Sequence, residues 1–216
     1  MSVNVLLKFT TVLTALFLVP MFAIRAQPTR HDDLNVLLMP PDGCEPPCFV
    51  GIRPGRTTVD EALTVLQTHE WISEPRMSAP GNGFSLINWQ WSGLQPDLIN
   101  DTLPGRLTFY WDEEDPTVAA PGLARVETIS IHTWIRMSKA QSWYGEPDSG
   151  TASYYPDEDV RYTAGYNLPS GTVQLATVMN CPVNWLTYWD SYTRLQFSIG
   201  HGISDYVPSE SVVQLC

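Results

Sequence analysis

An α+β protein, built as tandem helix-plus-antiparallel-strands modules with the helices packed on one face of a sheet, is the fold this sequence predicts. Three observations point there. Two helix patterns with clear end signals occur, one near residues 58–69 and one near 138–144. Each is followed by short alternating runs rich in β-branched and aromatic residues. Pro, Gly, Asn and Asp clusters separate those runs at turn-like spacing. Helices segregated from runs of antiparallel strands make a layered α+β fold.

The first 26 residues read as a secretory signal peptide. Lys8 precedes an apolar run over residues 9–24, and Ala26 offers a small residue for cleavage. That run is about 16 residues, short of the roughly 20 a spanning helix needs. Residues 27–43 are a flexible, polar, proline-bearing lead-in with a small apolar patch at 34–39. The first module is then expected over 44–136 and the second over 137–216.

The first helix starts at Thr58, with Glu61 three residues on, the spacing of a reciprocal capping box. Asp60 and Glu61 suit the positive end of the helix dipole. Val59, Ala62, Leu63 and Leu66 recur on one face. Residues 73–83 read as loop. Residues 84–91, 106–111 and 123–134 read as strands, the last with the longest alternation. The second helix ends at Gly145, with Pro147 two residues on, a usual stop. Strands are expected over 159–166, 172–179 and 193–199. Residues 182–190 form a short helix or turn, and 209–215 a terminal helix. Each half therefore reads as one helix and three strands, a repeated architecture with slight residue identity.

Charge narrows the function. The chain carries 12 basic and 23 acidic residues, a formal net charge of −11. Removing residues 1–26 takes away two of the 12, Lys8 and Arg25, and no acid, so 10 face 23 and the charge becomes −13. Nucleic acid and anionic membranes need a basic footprint, so neither is expected as partner. A membrane role arises only where residues 1–26 stay uncleaved.

Cys44, Cys48, Cys181 and Cys216 are an even set behind a secretory signal, which reads as two disulfides with three connectivities open. Cys44–Cys48 with Cys181–Cys216 is the first choice. In the chain-entropy account the short loop contributes about 2 kcal/mol and the long one about 4 kcal/mol. Structural zinc is the rival reading, but only Cys44 and Cys48 have suitable spacing.

Cys44, Pro47, Cys48, Gly51, Ile52, Pro54, Gly55, Thr57 and Thr58 form a Cys-x3-Cys…Gly-Ile-x-Pro-Gly-x-Thr-Thr start. It resembles the opening of a group of uncharacterised secreted bacterial proteins. Trp143-Tyr144-Gly145-Glu146-Pro147-Asp148 is similar to the helix end of the same group. At a coarser level the helix-then-strands order resembles the tandem modules of the β-lactamase-inhibitor-protein-like fold, which small outer-membrane assembly lipoproteins share. The resemblance covers residues 44–166 and implies binding of other proteins. It brings no catalytic residues.

No catalytic set is recognisable. His31, His69, His132 and His201 are scattered, and His69-Glu70 lacks a second His four residues on, where Ser73 stands. No nucleophile elbow or phosphate-binding loop occurs. Asp112, Glu113, Glu114 and Asp115 could ligate calcium from a flexible loop, although they do not fit the EF-hand pattern, and Asp157, Glu158 and Asp159 pose the same question; solvated hairpin tips are the plainer reading of both runs. No cofactor or metal is expected.

Eight tryptophans are the more distinctive feature. Trp89 and Trp91 share a strand face by period two, and with Trp111 they are the candidate binding residues. Such rings anchor protein partners, stack on sugars, or fill a core. The leading expectation is a secreted, disulfide-bonded, non-enzymatic module that binds an extracytoplasmic protein. The alternative is a carbohydrate-binding or carbohydrate-active protein with an acidic pair beside Trp89 and Trp91. Hydrolysis would need two carboxylates about 5–10 Å apart.

Overall fold

The computed structural model describes residues 43–78, 83–111, 121–154 and 159–200, together with Thr14 and Leu37. The expected signal segment apart from Thr14, the acidic run at 112–115, Asp157, Glu158, His31, His201, Cys216 and the terminal helix at 209–215 lie outside the described residues.

Helix α1 (Val59–Thr68) begins where the capping box places it. The Thr58 backbone N–H donates to Glu61 Oε2 at 2.9 Å, and Glu61 N–H donates to Thr58 Oγ1 at 3.3 Å. Two otherwise orphaned donors are thereby satisfied. Val59, Ala62 and Leu66 are buried and Leu63 is half-buried, so the apolar stripe faces inward.

Four strands follow: β1 (Ile72–Met77), β2 (Phe84–Trp91), β3 (Gly105–Tyr110) and β4 (Val126–Arg136). Helix α2 (Met137–Tyr144) comes next and stops at Gly145, whose φ of 84° only glycine adopts readily. Then come β5 (Ser149–Tyr154), β6 (Asp159–Leu168), β7 (Gly171–Asn180), a short helix α3 (Trp185–Asp190) and β8 (Tyr192–Ser198). Asn184 caps α3 by accepting from the N–H groups of Leu186 and Thr187 at 2.9 and 3.0 Å.

All eight strands join one antiparallel sheet in the order β1-β2-β3-β4-β8-β7-β6-β5. Strands β4 and β8 therefore sit at the centre, and β1 and β5 at the ends. The molecule is mostly sheet, with a few short helices. Two strands differ from the sequence expectation of three per half. Strand β1 lies in the stretch read as loop, and β5 in a stretch given no element. Both are edge strands. With a neighbour on one side only, they bury little: the β1 pattern is one buried residue of six, and β5 has two. Strand β1 also carries Pro75 and a register shift between Ser73 and Arg76, devices that suit an edge.

Among the described residues, one hydrophobic core gathers side chains from Leu37 to Phe197. Strand residues of one parity enter it, among them Ile87, Leu107, Ile129, Leu175 and Leu195. The helices contribute Val59, Ala62, Leu66, Met137, Ala140 and Tyr188 to the same cluster. Leu37, inside the segment expected as a flexible lead-in, is buried in this core.

Cys44 and Cys48 form a disulfide with Cα atoms 6.1 Å apart. Cys181 is disulfide-bonded too, and its expected partner Cys216 lies outside the described residues. The bridged turn delivers Phe49 into an aromatic cluster. Its ring centroid is 6.2 Å from Trp89, 6.4 Å from Trp91 and 6.2 Å from Phe197.

Candidate functional site

The three tryptophans proposed from sequence as binding residues do not present a free aromatic surface, and that expectation is corrected here. Trp89 is 1% exposed and Trp91 is 9% exposed. They share the inward parity of Ile87, while Asn88 and Gln90 point the other way. Trp91 donates its indole N–H to the Leu103 carbonyl at 2.9 Å. Trp111 is half-buried and packs against the core. An acidic pair beside Trp89 and Trp91 therefore has no exposed platform to act with.

The exposed aromatic rings lie elsewhere. Trp134 on β4 and Tyr192 on β8 are 41% and 50% exposed, with centroids 5.1 Å apart and planes at 81°. Parity explains their position. Along β4, Ile129, Ile131, Thr133 and Ile135 are buried, so His132 and Trp134 face outward. Along β8, Thr193, Leu195 and Phe197 are buried, so Tyr192 and Arg194 face outward.

Register assembles these into one site. His132 on β4 stands opposite Arg194 on β8. Arg194 stands opposite Ala176 on β7. One step along, Val178 on β7 pairs with Arg161 on β6. Arg106 on β3 pairs with Ser130, two residues before His132. A cavity of about 450 Å³ opens here, lined by His132, Trp134, Arg161, Val178, Tyr192 and Arg194 among others. The β2–β3 connection walls one side, because Asn100 N–H donates to the His132 carbonyl at 2.9 Å and Trp134 N–H to the Leu98 carbonyl at 2.8 Å.

Two arginines and a histidine line this cavity, and Asp159 stands two residues from Arg161 on the same strand face. None of the described residues lining the cavity is acidic. His132 is held below its ordinary value by burial first, then by the charges of Arg194 and Arg106. Arg106 donates its Nε–H to the neutral amide oxygen of Asn88 at 3.1 Å. A guanidinium and imidazole cluster beside exposed aromatic rings can hold anionic groups by charge-assisted hydrogen bonds and apolar groups by contact.

The remaining sequence candidates do not converge. His69 is 4.9 Å from the Trp71 ring and accepts the Trp71 backbone N–H at 3.2 Å. Among the described residues, no group of three His, Cys, Asp or Glu side chains could hold a metal ion. No helix among them is long and apolar enough to cross a membrane.

Sequence reasoning missed Trp134, Tyr192 and Arg194 as a set. The parity signal for Trp134 was present in β4, but the pairing with β8 joins residues some 60 positions apart. A second exposed pair, Trp185 and Trp189 on α3, has centroids 6.5 Å apart and planes at 20°. No protein-family model, no curated protein and no solved structure matches this chain.

Proposed function

We propose that the chain is a secreted, non-enzymatic module that binds another extracytoplasmic protein through the outward sheet face at His132, Trp134, Tyr192 and Arg194. The observation that carries this is the half-exposed Trp134–Tyr192 pair set beside arginine on a broad sheet face. Trp, Tyr and Arg are the side chains on which binding energy concentrates at protein interfaces. The Cys44–Cys48 bridge supports an oxidising compartment. A two-module reading is supported by strand order, since α1 and α2 each precede a set of four strands, α3 lying within the second set, and the two sets meet at β4 and β8. That arrangement favours the resemblance to tandem protein-binding modules.

The test is affinity capture from native envelope and medium fractions, with the native chain beside a Trp134→Ala/Tyr192→Ala variant. A protein recovered by the first and lost with the second supports the reading. Repeated recovery of none, or equal recovery by both, removes it.

A second reading has its own observation. Trp185 and Trp189 offer two near-parallel exposed rings, a form suited to stacking on a sugar. Glycan-array binding that a Trp185→Ala/Trp189→Ala variant abolishes would favour a carbohydrate-binding module over the first reading.

A further inference from the structure

We infer that the cleft between α2 and α3 binds a neutral hexopyranose unit, its apolar face stacked on Trp189 and its hydroxyls bonded to Asp190 and Ser138. This rests on the second, carbohydrate-binding reading above and deepens it, by stating where the sugar sits and what chemistry it carries.

Helix α3 leaves much apolar surface in water for a helix of six residues. Trp185, Leu186 and Trp189 are all exposed, Leu186 to 81%, and Tyr188 alone of the helix is buried. A contiguous exposed patch of this kind marks a binding surface. The patch is firmly held. Asn184 caps the helix by accepting from Leu186 and Thr187. Gln141 on α2 donates to the Tyr188 hydroxyl at 2.6 Å. Met137 N–H, at the start of α2, donates to the Ser191 carbonyl at 2.8 Å. Both helices are therefore fixed before a ligand arrives, which lowers the ordering cost of binding.

A cleft of about 370 Å³ opens between them, lined by Ser138, Leu186, Thr187, Trp189 and Asp190. That volume is within the range of small-ligand sites, about 300–1,000 Å³. Its walls combine an aromatic ring with a carboxylate and a hydroxyl. The axial C–H groups of a pyranose form a flat apolar face that packs on such a ring, and Trp185 backs Trp189 with its plane only 20° away. Trp134 and Tyr192 differ, since their planes stand at 81° and make no flat platform.

The polar groups choose among ligands. Asp190 is the one charged side chain among the described residues lining the cleft, and Arg136 pairs with it. The pair fixes the carboxylate and cancels its charge, yet the Asp190 side chain stays 62% exposed. A carboxylate has about four acceptor positions, so it can take hydrogen bonds from sugar hydroxyls beside its arginine. A neutral sugar meets these terms. A uronate would bring a second carboxylate against Asp190.

The probes are methyl β-D-glucopyranoside, methyl β-D-galactopyranoside and methyl α-D-mannopyranoside, with methyl β-D-glucuronide alongside. Each is titrated at millimolar concentration into the ¹⁵N-labelled full chain. At least one neutral glycoside should shift the Trp189 indole N–H and the Thr187 and Asp190 amides, and the glucuronide should not. Asp190→Asn should weaken that binding about tenfold or more, the worth of a hydrogen bond to a charged group. Its ion pair with Arg136 is exposed and contributes little to stability, so the variant folds. Trp189→Ala should abolish binding and Trp189→Phe should keep part of it, which separates the lost ring from a lost fold. Equal binding by Asp190→Asn, or shifts away from the cleft, overturns the inference. If a glycan array shows binding through Trp185 and Trp189 but no glycoside shifts the cleft signals, the carbohydrate reading stands and this placement falls. If neither responds, the carbohydrate reading falls with it. A captured protein that Trp189→Ala loses, with no response to sugar, makes α3 a protein-docking face and overturns the inference as well.

Discussion

The hydroxyls of Thr133 and Thr193 lie 3.1 Å apart inside the core, across the seam where β4 meets β8. Thr133 Oγ1 also donates to the Thr193 carbonyl at 2.7 Å and accepts from Ile135 N–H at 3.2 Å. Thr193 Oγ1 donates to the Ile135 carbonyl at 3.0 Å. The register of the two strands shifts between His132 and Arg136. These hydroxyls satisfy backbone groups that the interrupted ladder leaves over. Their neighbours in sequence, His132, Trp134, Tyr192 and Arg194, are the outward residues of the candidate site, so the buried pair sets where the exposed rings stand.

Thr133→Val keeps the shape and removes the hydroxyl. Ile135 N–H then loses its acceptor, and Thr193 loses a partner in a dry environment. A buried group left unsatisfied costs about 1–3 kcal/mol. The urea midpoint, followed by tryptophan fluorescence, should fall accordingly. Thr133→Ser, which keeps the hydroxyl, should recover most of it. An unchanged midpoint for Thr133→Val would mean that the seam does not depend on this network.

His132 gives a pH dependence whose sign is fixed by its surroundings. Burial and the two arginines lower its native value below the ordinary 6.5. As pH falls through that ordinary value, the unfolded chain takes up a proton that the native state does not. Stability therefore drops until the pH reaches the lowered native value, then levels. His69 is lowered in the same sense, chiefly by burial. Thermal midpoints measured between about pH 8 and pH 5 should fall less in His132→Asn than in the native chain, and least when His69 is replaced too. A steeper fall in the variant would reverse the sign argued here.

How much of this was legible in sequence depended on how local the signal was. The start of α1 was readable because Thr58 and Glu61 lie three residues apart, and the end of α2 because Gly145 follows Tyr144 directly. The central strands alternate and were found. Edge strands β1 and β5 were missed because a strand with one neighbour needs few buried side chains, and "ISEPRM" and "SGTASY" show almost no alternation. The inward direction of Trp89 and Trp91 could have been read from Asn88 and Gln90 between them. The meeting of His132 with Arg194 could not. It depends on β4 and β8 pairing across three intervening strands and two helices, which no local pattern encodes.

The turn after the disulfide holds a strained residue. Phe49 and Ile52 exchange backbone hydrogen bonds at 3.1 and 2.8 Å, closing a two-residue turn through Val50 and Gly51. Val50 has φ of 46° and Gly51 has φ of 93°. Positive φ is costly for a β-branched residue, by about 1–2 kcal/mol. Asn tolerates that conformation and is the usual partner of Gly in such turns. Val50→Asn should therefore raise stability by about 1 kcal/mol, read as a higher urea midpoint with the same slope. A lower midpoint would show that the half-buried valine side chain contributes more by packing than it loses to backbone strain.

Trp89 and Gly105 face each other across β2 and β3. The indole lies directly over the glycine, so a Cβ placed there would run into the ring. The ring cannot swing aside, because Phe49 stacks on it and Trp91 packs edge-on with centroids 5.9 Å away. Gly105→Ala adds one methyl group to a filled space, and overpacking of this kind costs about 1–3 kcal/mol. The loss should come from contact with Trp89 rather than from the strand itself, since alanine suits a strand at least as well as glycine. Trp89→Leu alone should also destabilise, by leaving a cavity. Combined with Trp89→Leu, however, Gly105→Ala should become nearly neutral or favourable, because the added methyl enters vacated space. The double-mutant cycle isolates that coupling. If the two losses simply add, the glycine is not there to admit the indole.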